Sequence, residues 1–446
     1  MTPGARLQAA IDLLDDILAN PRKPADATVG AFFRARRYIG GGDRRAVAER
    51  VYGILRRRAQ LEWWLARAGA KGAPSGRGLV VADLALHEGL SADHVAGLFD
   101  GGRFRPQPFE REERAMLKAL AGQAPDHPEQ PVAVRFNIPG WIEPELRAAL
   151  GEDAEREYAA MNRPAPVDLR VNLLKADRDA AQQALAAEQV RVAPTELSPV
   201  GLRAEGRPSL VTGAAFRAGL VEIQDEGSQL VALLADARPG LRVVDYCAGA
   251  GGKTLAMAAA MQNKGALIAC DVSALRLERA VTRIRRAGVH NATQKLIDAA
   301  ARKWLKRAAG TVDRVLVDAP CSGTGTWRRN PDARWVLQAS DIDELIAKQA
   351  QILDAVAGLV KPGGKLVYAT CSLLPRENEG QIEAFLARHP GFEVVKLAEA
   401  WREATGTDLP AAIPDGAHLR LTPAGQGTDG FFVGVLRRQA RPEPAS

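Results

Sequence analysis

The stretch Val243-Val-Asp-Tyr-Cys-Ala-Gly-Ala-Gly-Gly-Lys-Thr254 decides the fold of this 446-residue chain. An apolar run leads into three glycines, then into Lys253-Thr254 and a helix-forming Leu-Ala-Met series. That order is a strand, a tight turn and a helix start. Glycines there let the backbone approach a ligand at the helix N-terminus. Working outward, strand-like runs recur at 241–246, 266–270, 293–297, 314–317 and 365–369, with helical stretches between them. Such alternation specifies a parallel, doubly wound α/β sheet. A last run at 430–436 is expected to add an antiparallel strand.

Three ligands compete for the glycine turn. A nucleotide P-loop needs glycine where Cys247 stands, and the dinucleotide pattern needs glycine where Thr254 stands, so both fail. S-adenosylmethionine fits better. Its ribose hydroxyls need an acidic acceptor at the end of the second strand, where Asp271 stands. Asp298 closes the third strand run and is placed to accept from the adenine amino group. One acidic residue at a strand end is more often structural, but four features in the right order outweigh that reading.

The chain has four cysteines, at 247, 270, 321 and 371, none in a CxxC pair. Neither a zinc site nor a disulfide framework is expected from that spacing. Cys270 lies inside a strand pattern and reads as core. Cys321 follows Asp318-Ala-Pro, and Cys371 follows Tyr368-Ala-Thr, each just after a strand run. A lone free cysteine is usually an inert small hydrophobe. Two at strand ends, where open α/β sheets bind ligands, suggest covalent chemistry. Carbon 5 of cytosine is a poor nucleophile until a thiolate adds at C6, after which a base must remove the C5 proton.

Apolar residues make up 46% and charged residues 25%, ordinary for a globular protein. No apolar run reaches the ~20 residues of a membrane span, and the start lacks a secretory pattern, so a cytoplasmic protein is expected. Residues 1–75 carry 14 Lys and Arg against 7 Asp and Glu, an excess equal to the whole chain's +7. A basic module suits a polyanionic partner. Residues 1–125 read as helical, the Pro/His stretch 124–131 as a linker, 132–225 as a small α+β domain, 226–438 as the α/β domain and 439–446 as a disordered tail. Trp63 and Trp64 read as helix core. Arg328, Arg329 and Lys253 are candidate RNA contacts, and Trp327 is a candidate wall of a base pocket.

The motifs Asp318-Ala-Pro-Cys-Ser-Gly-Thr-Gly325 with Arg328-Arg-Asn-Pro-Asp332, Tyr368-Ala-Thr-Cys-Ser through Glu379, and Cys247-Ala-Gly-Ala-Gly-Gly-Lys-Thr254 resemble the RNA cytosine-C5 methyltransferase family, in its bacterial RsmB (Sun) type. Arg170-Val-Asn172 and Gln224-Asp-Glu-Gly-Ser228 are similar to stretches that precede the catalytic domain there, and the 52–63 region to a NusB-like RNA-binding domain. The resemblance implies a Rossmann-like class I methyltransferase domain, preceded by a small α+β domain and an all-α NusB-like domain. It implies Cys371 as nucleophile, Cys321 as base for the C5 proton, and Asp318 bound to the base near N3 beside the methyl donor. Cys247, Ala248, Gly249, Ala250, Gly251, Gly252, Lys253, Asp271, Asp298 and Asp318 would line the S-adenosylmethionine site. The target would be 16S ribosomal RNA, with no metal and a monomeric enzyme. Ala250 stands where the family turn commonly has proline, relaxing one backbone angle. Two other readings stay open: a ribosome-assembly factor holding the cofactor structurally, and amino-group methylation, which favours an Asn/Asp-Pro-Pro-aromatic loop.

Overall fold

A computed structural model describes residues 1–440; the tail expected at 439–446 falls for the most part outside the described residues. Two compact units emerge, one of residues 1–163 with 327–339, the other of 164–326 with 340 onward. Each is described by itself.

The first unit is helical. The helix Pro3–Ala19 buries Leu7, Ala10, Leu13, Leu14 and Ile17, a 3-4 spacing that aligns one apolar face. Thr2 caps its N-terminus through Ala5 N–H, and Ser75 caps the helix Gly76–Leu86 through Gly78 N–H. Trp64 is 4% exposed, within the same core. The 124–131 stretch is not a free linker. The Trp64 indole donates to the Pro125 carbonyl (2.8 Å), and the Gln60 amide donates to Asp126 (2.9 Å), so it is tied to the helix Arg58–Arg67. The helices from 132 to 161 belong to this unit as well, so its compact limit falls at Arg163, beyond the compositional break.

The second unit holds two sheets. The strands β1 (Val167–Val171), β2 (Val192–Pro194), β3 (Gly201–Ala204) and β4 (Val221–Ile223) form an antiparallel sheet in the order β2-β3-β1-β4. The strands β5 (Arg242–Asp245), β6 (Ala266–Asp271), β7 (Ala292–Leu296), β8 (Val312–Asp318), β9 (Val360–Thr370), β10 (Phe392–Val394), β11 (Leu419–Leu421) and β12 (Phe431–Arg438) form the second, in the order β10-β12-β9-β8-β5-β6-β7 with β11 on β12. The strands β5 to β9 pair in parallel, and β12 runs antiparallel to β9. The central strands are apolar on both faces, as buried parallel strands must be. Val243, Leu316, Val367 and Ala369 pack into one core; Val244, Val315, Val317 and Tyr368 pack into another on the opposite face. Strand order reverses between β5 and β8, and ligands bind beyond the strand C-termini at such a switch.

Candidate active site

The turn after β5 begins at Tyr246 and feeds the helix Gly252–Ala260. Gly249 (φ 55°) and Gly251 (φ 82°) occupy the left-handed region, which glycine enters without steric cost. A Cβ built at Gly249 would meet nothing within 4 Å, so that face of the turn is open. Asp271, at the end of β6, accepts from Gly249 N–H (2.9 Å) and from Ser273 N–H (2.8 Å), locking the turn to the neighbouring strand. At the Ala250 position, where no proline restrains the backbone, Arg283 donates to the carbonyl at 2.9 Å. Asp298 lies exposed after β7 and accepts from Ala300 and Ala301 N–H.

Asp245 closes β5 inside the protein. One oxygen accepts from Thr254 Oγ1 (2.6 Å); Oδ1 is buried without a hydrogen-bond partner. Burial pushes its pKa up to about 7. Cys270 is fully buried core, as its strand pattern implied. Cys247 is partly buried, and burial raises its thiol above the ordinary range, so neither is poised as a nucleophile.

Lys253 and Asp318 form a pair the sequence did not reveal, with Nζ to Oδ2 at 2.7 Å. Burial alone would lower the Lys253 pKa, but the adjacent carboxylate outweighs it and the net shift is upward. Lys253 is therefore a buried partner of Asp318, not a surface contact for RNA phosphates. The Asp318 side chain remains 32% exposed, and its second oxygen makes no hydrogen bond among the described residues.

Cys321 and Cys371 leave the ends of adjoining strands β8 and β9, whose register pairs Asp318 with Ala369. Their sulfurs lie 3.5 Å apart and both residues are partly accessible. The hydrogen bond to Cys371, then burial, holds the Cys321 thiol well above its usual range.

Glu377, wholly buried, joins the two cysteine loops. It accepts from Ser322 N–H (2.9 Å) and Gln349 Nε2 (3.0 Å) on one oxygen, and from the Ser322 and Ser372 hydroxyls (both 2.5 Å) on the other. Thr324 Oγ1 accepts from Leu373 N–H (2.8 Å), adding a second tie. Glu377 lies in the stretch that carried the resemblance, but nothing in its spacing announced this role.

The segment 327–339 departs from expectation. Trp327 is fully buried in the helical unit, with the Arg334 guanidinium 5.3 Å from its ring centroid, so it lines no open pocket. Arg328 is 5% exposed and its carbonyl accepts from Arg56 (3.2 Å). Arg334 donates to the carbonyls of Asn137, Met161 and Trp327 and to Asn162 Oδ1. These side chains pack the helical unit.

A doubly wound sheet with an acid-braced glycine turn after its first strand defines an S-adenosylmethionine-dependent methyltransferase. The open Gly249 face, the Asp271 brace and the orphan Asp245 oxygen fit that cofactor. Comparison with known proteins narrows the class. Residues 232–437 match the family described as 16S rRNA methyltransferase RsmB/F, and 138–210 match its ferredoxin-like domain. The chain is similar to ribosomal RNA small subunit methyltransferase B of Xylella fastidiosa (strain 9a5c), 35% identical over 89% of this chain and 92% of the relative. The crystal structure of PH0851 superposes with a TM-score of 0.78 at 26% identity, over 98% of this chain and 99% of that one. A methyltransferase homologue from Pyrococcus horikoshii gives a TM-score of 0.58 at 28% identity, over 69% and 97%. The chain belongs to the RsmB/F family of rRNA methyltransferases. Among the described residues no helix is long and apolar enough to cross a membrane, and no cluster of metal-ligating side chains occurs.

Proposed function

We propose that the protein methylates carbon 5 of a cytidine in 16S rRNA through a transient bond between Cys371 Sγ and ring carbon C6. The supporting observation is the pair of thiols 3.5 Å apart, beside the Asp318–Lys253 pair. Bound S-adenosylmethionine supplies an electrophilic methyl group on a sulfonium. The Cys371 thiolate adds to C6, and the C5–C6 π electrons move toward N3, which takes a proton from solvent. The second oxygen of Asp318 accepts a hydrogen bond from that N3–H, and the proton returns to solvent once C5 has taken the methyl group. Lys253 holds Asp318 in place and balances its charge. C5 then carries the nucleophilic electron pair and takes the methyl group. Removal of the C5 proton reforms the double bond and expels the Cys371 thiolate.

The environment of Cys321 supplies the order of events. The hydrogen bond shared with Cys371, then burial, holds Cys321 in its thiol form. Once the Cys371 sulfur is bonded to C6, the largest cause of the upward shift is gone, while burial and Glu377 still raise it. Cys321 gives its own proton to solvent, and its thiolate then takes the C5 proton. The base must stand clear of its helix, since C6 is attacked from outside the ring plane. Asp271 and Asp298 are assigned to the ribose and the adenine amino group.

Cys371→Ala should abolish methyl transfer to unmodified 16S rRNA while S-adenosylmethionine still binds. Cys321→Ala should accumulate RNA covalently held on denaturing gels. Full turnover by Cys371→Ala, or no retained RNA with Cys321→Ala, would overturn the assignment. Bisulfite mapping of the product identifies the base.

A further inference from the structure

We infer that the hairpin of residues 21–45 is a docking surface for single-stranded RNA, with arginines gripping phosphates and Tyr38 stacking on a base. The inference rests on the reading of RNA as substrate and identifies where the helical unit contacts it. Charge alone did not single out this patch; ion pairing does. Elsewhere in the unit the exposed cations without a carboxylate partner among the described residues, such as Lys71, Arg103, Arg111 and Lys118, are scattered along the chain, whereas five such cations fall within 21–45. Many other arginines there serve the fold. Arg57 and Arg50 neutralise buried Asp83, Arg58 pairs with Glu62, Arg67 with Glu129, and Arg77 with Glu113. Residues 21–45 carry seven Lys and Arg against two acids, Asp26 and Asp43. Both acids are already engaged: Asp26 by the Tyr52 hydroxyl, Asp43 by the Met1 ammonium and Arg6. Among the described residues no carboxylate pairs with Arg22, Lys23, Arg34, Arg37 or Arg45, and all five are exposed.

The hairpin is also built to present these groups. Phe32, Phe33 and Ile39 are buried at 3, 8 and 1% exposure and anchor it to the core. Arg44 donates to the Ile39 carbonyl (2.7 Å), fixing the turn. Between the anchors Tyr38 stands 74% exposed, the most exposed of the large apolar side chains. It makes no hydrogen bond or ring contact among the described residues. A Cβ at Gly40, Gly41 or Gly42 would meet nothing within 4 Å, so the three residues that follow the turn carry neither a side chain nor a close neighbour. Unpaired cations beside an exposed aromatic are the two elements of sequence-tolerant single-strand binding. A solvated surface needs no projecting tyrosine held by buried neighbours.

The test uses the full chain and a single-stranded RNA oligonucleotide, with affinity read by fluorescence anisotropy across a potassium chloride series. Each phosphate contact on a single strand contributes about 0.7 to the log–log salt slope. The triple variant Arg34→Ser/Arg37→Ser/Arg45→Ser should therefore lower the slope by about 2. Tyr38→Ala should weaken binding about fivefold or more with little change in slope, and Tyr38→Phe should bind as the unaltered protein does. Circular dichroism and urea unfolding, unchanged in every variant, report that the helical unit is folded, and unchanged S-adenosylmethionine affinity reports the same of the second unit. An unchanged slope in the triple variant, or unchanged affinity in Tyr38→Ala, would overturn the inference. Methyl transfer to 16S rRNA by the unaltered protein is measured in parallel. Its absence alongside the expected patch effects would remove the catalytic reading and leave this surface standing.

Discussion

Replacing Glu377 tests whether the distance between the two thiols is set by the protein rather than by the bound base. The carboxylate takes four hydrogen bonds in a site without water access, two of them from Ser322, next to Cys321, and one from Ser372, next to Cys371. Glu377→Ala leaves the Ser322 N–H unpaired and Gln349 Nε2 with only its bond to the Pro320 carbonyl (3.0 Å), at about 1–3 kcal/mol each, plus a cavity. A loss of about 3–5 kcal/mol is a large part of a stability of ~5–15 kcal/mol. Glu377→Gln is the sharper variant. Its remaining oxygen can keep Ser322 N–H and Gln349, while the two serine hydroxyls must turn to accept from its amide. The cost is the charge-assisted share of those bonds, about 2 kcal/mol. A reacting sulfur misplaced by ~1 Å costs about a hundredfold in rate. Glu377→Ala should thus lower kcat about a hundredfold and Glu377→Gln about tenfold, with KM for RNA and S-adenosylmethionine affinity unchanged. Single-turnover methylation with radiolabelled donor, together with urea unfolding, reads both effects. A kcat within twofold of the unaltered enzyme in Glu377→Gln, with stability lowered as expected, would show that Glu377 holds the fold but does not place the thiols.

Other perturbations follow from neighbouring groups. The folded-state pKa of Asp245 lies at about 7, above its ordinary 3.8, so its contribution is fully present below about pH 4 and lost as pH rises through 7. Asp245→Asn should flatten that part of the stability profile, by about 4 kcal/mol at most; matching slopes for both proteins in urea unfolding from pH 4.5 to 8 would contradict it. Asp318→Asn strips a buried ammonium of its partner, and should cost about 3–5 kcal/mol of stability as well as activity. Lys253→Met/Asp318→Asn together should recover stability but not methyl transfer, which thermal unfolding and a turnover assay separate. Arg283→Ala frees the Ala250 carbonyl, and should weaken S-adenosylmethionine binding several-fold by calorimetry; adding Ala250→Pro should recover part of the loss.

The sequence was most legible where elements are long and continuously apolar. Val243-Val, Leu267-Ile-Ala-Cys, Val315-Leu-Val and Leu366-Val-Tyr-Ala announce the central strands, because burial on both faces tolerates no polar alternation. Some short strands were not announced: β3 has four residues, and β10 and β11 three each, too few for any period to show. The glycine turn and the two cysteine motifs were visible because residue type and strand position coincide there. Side-chain partnerships were not. Lys253 and Asp318 lie 65 positions apart and Ser322 and Glu377 lie 55 apart, so only the parallel register brings them together. Arg328 was misleading for the opposite reason: an arginine run resembles a polar surface until a folded unit encloses it.

The boundary between small sheet and methyltransferase sheet, clear in composition, is not a boundary of the site. Arg170 on β1, 3% exposed, donates to the Gly252 carbonyl (2.7 Å) and to Gln224. Glu222 on β4 accepts from Arg283 (3.0 Å) and Arg286. Arg283 in turn carries the Ala250 carbonyl, so the small sheet supports the cofactor turn from both of its ends. Burial pushes the Arg170 pKa down to about 10, a cost that a merely decorative guanidinium would avoid by reaching solvent. The expense is intelligible if the turn must be rigid before the cofactor arrives, since ordering it on binding would subtract from affinity. The two sheets therefore form one compact unit for a chemical reason: the antiparallel strands complete the backbone cradle that the glycine turn alone, lacking its proline, does not hold.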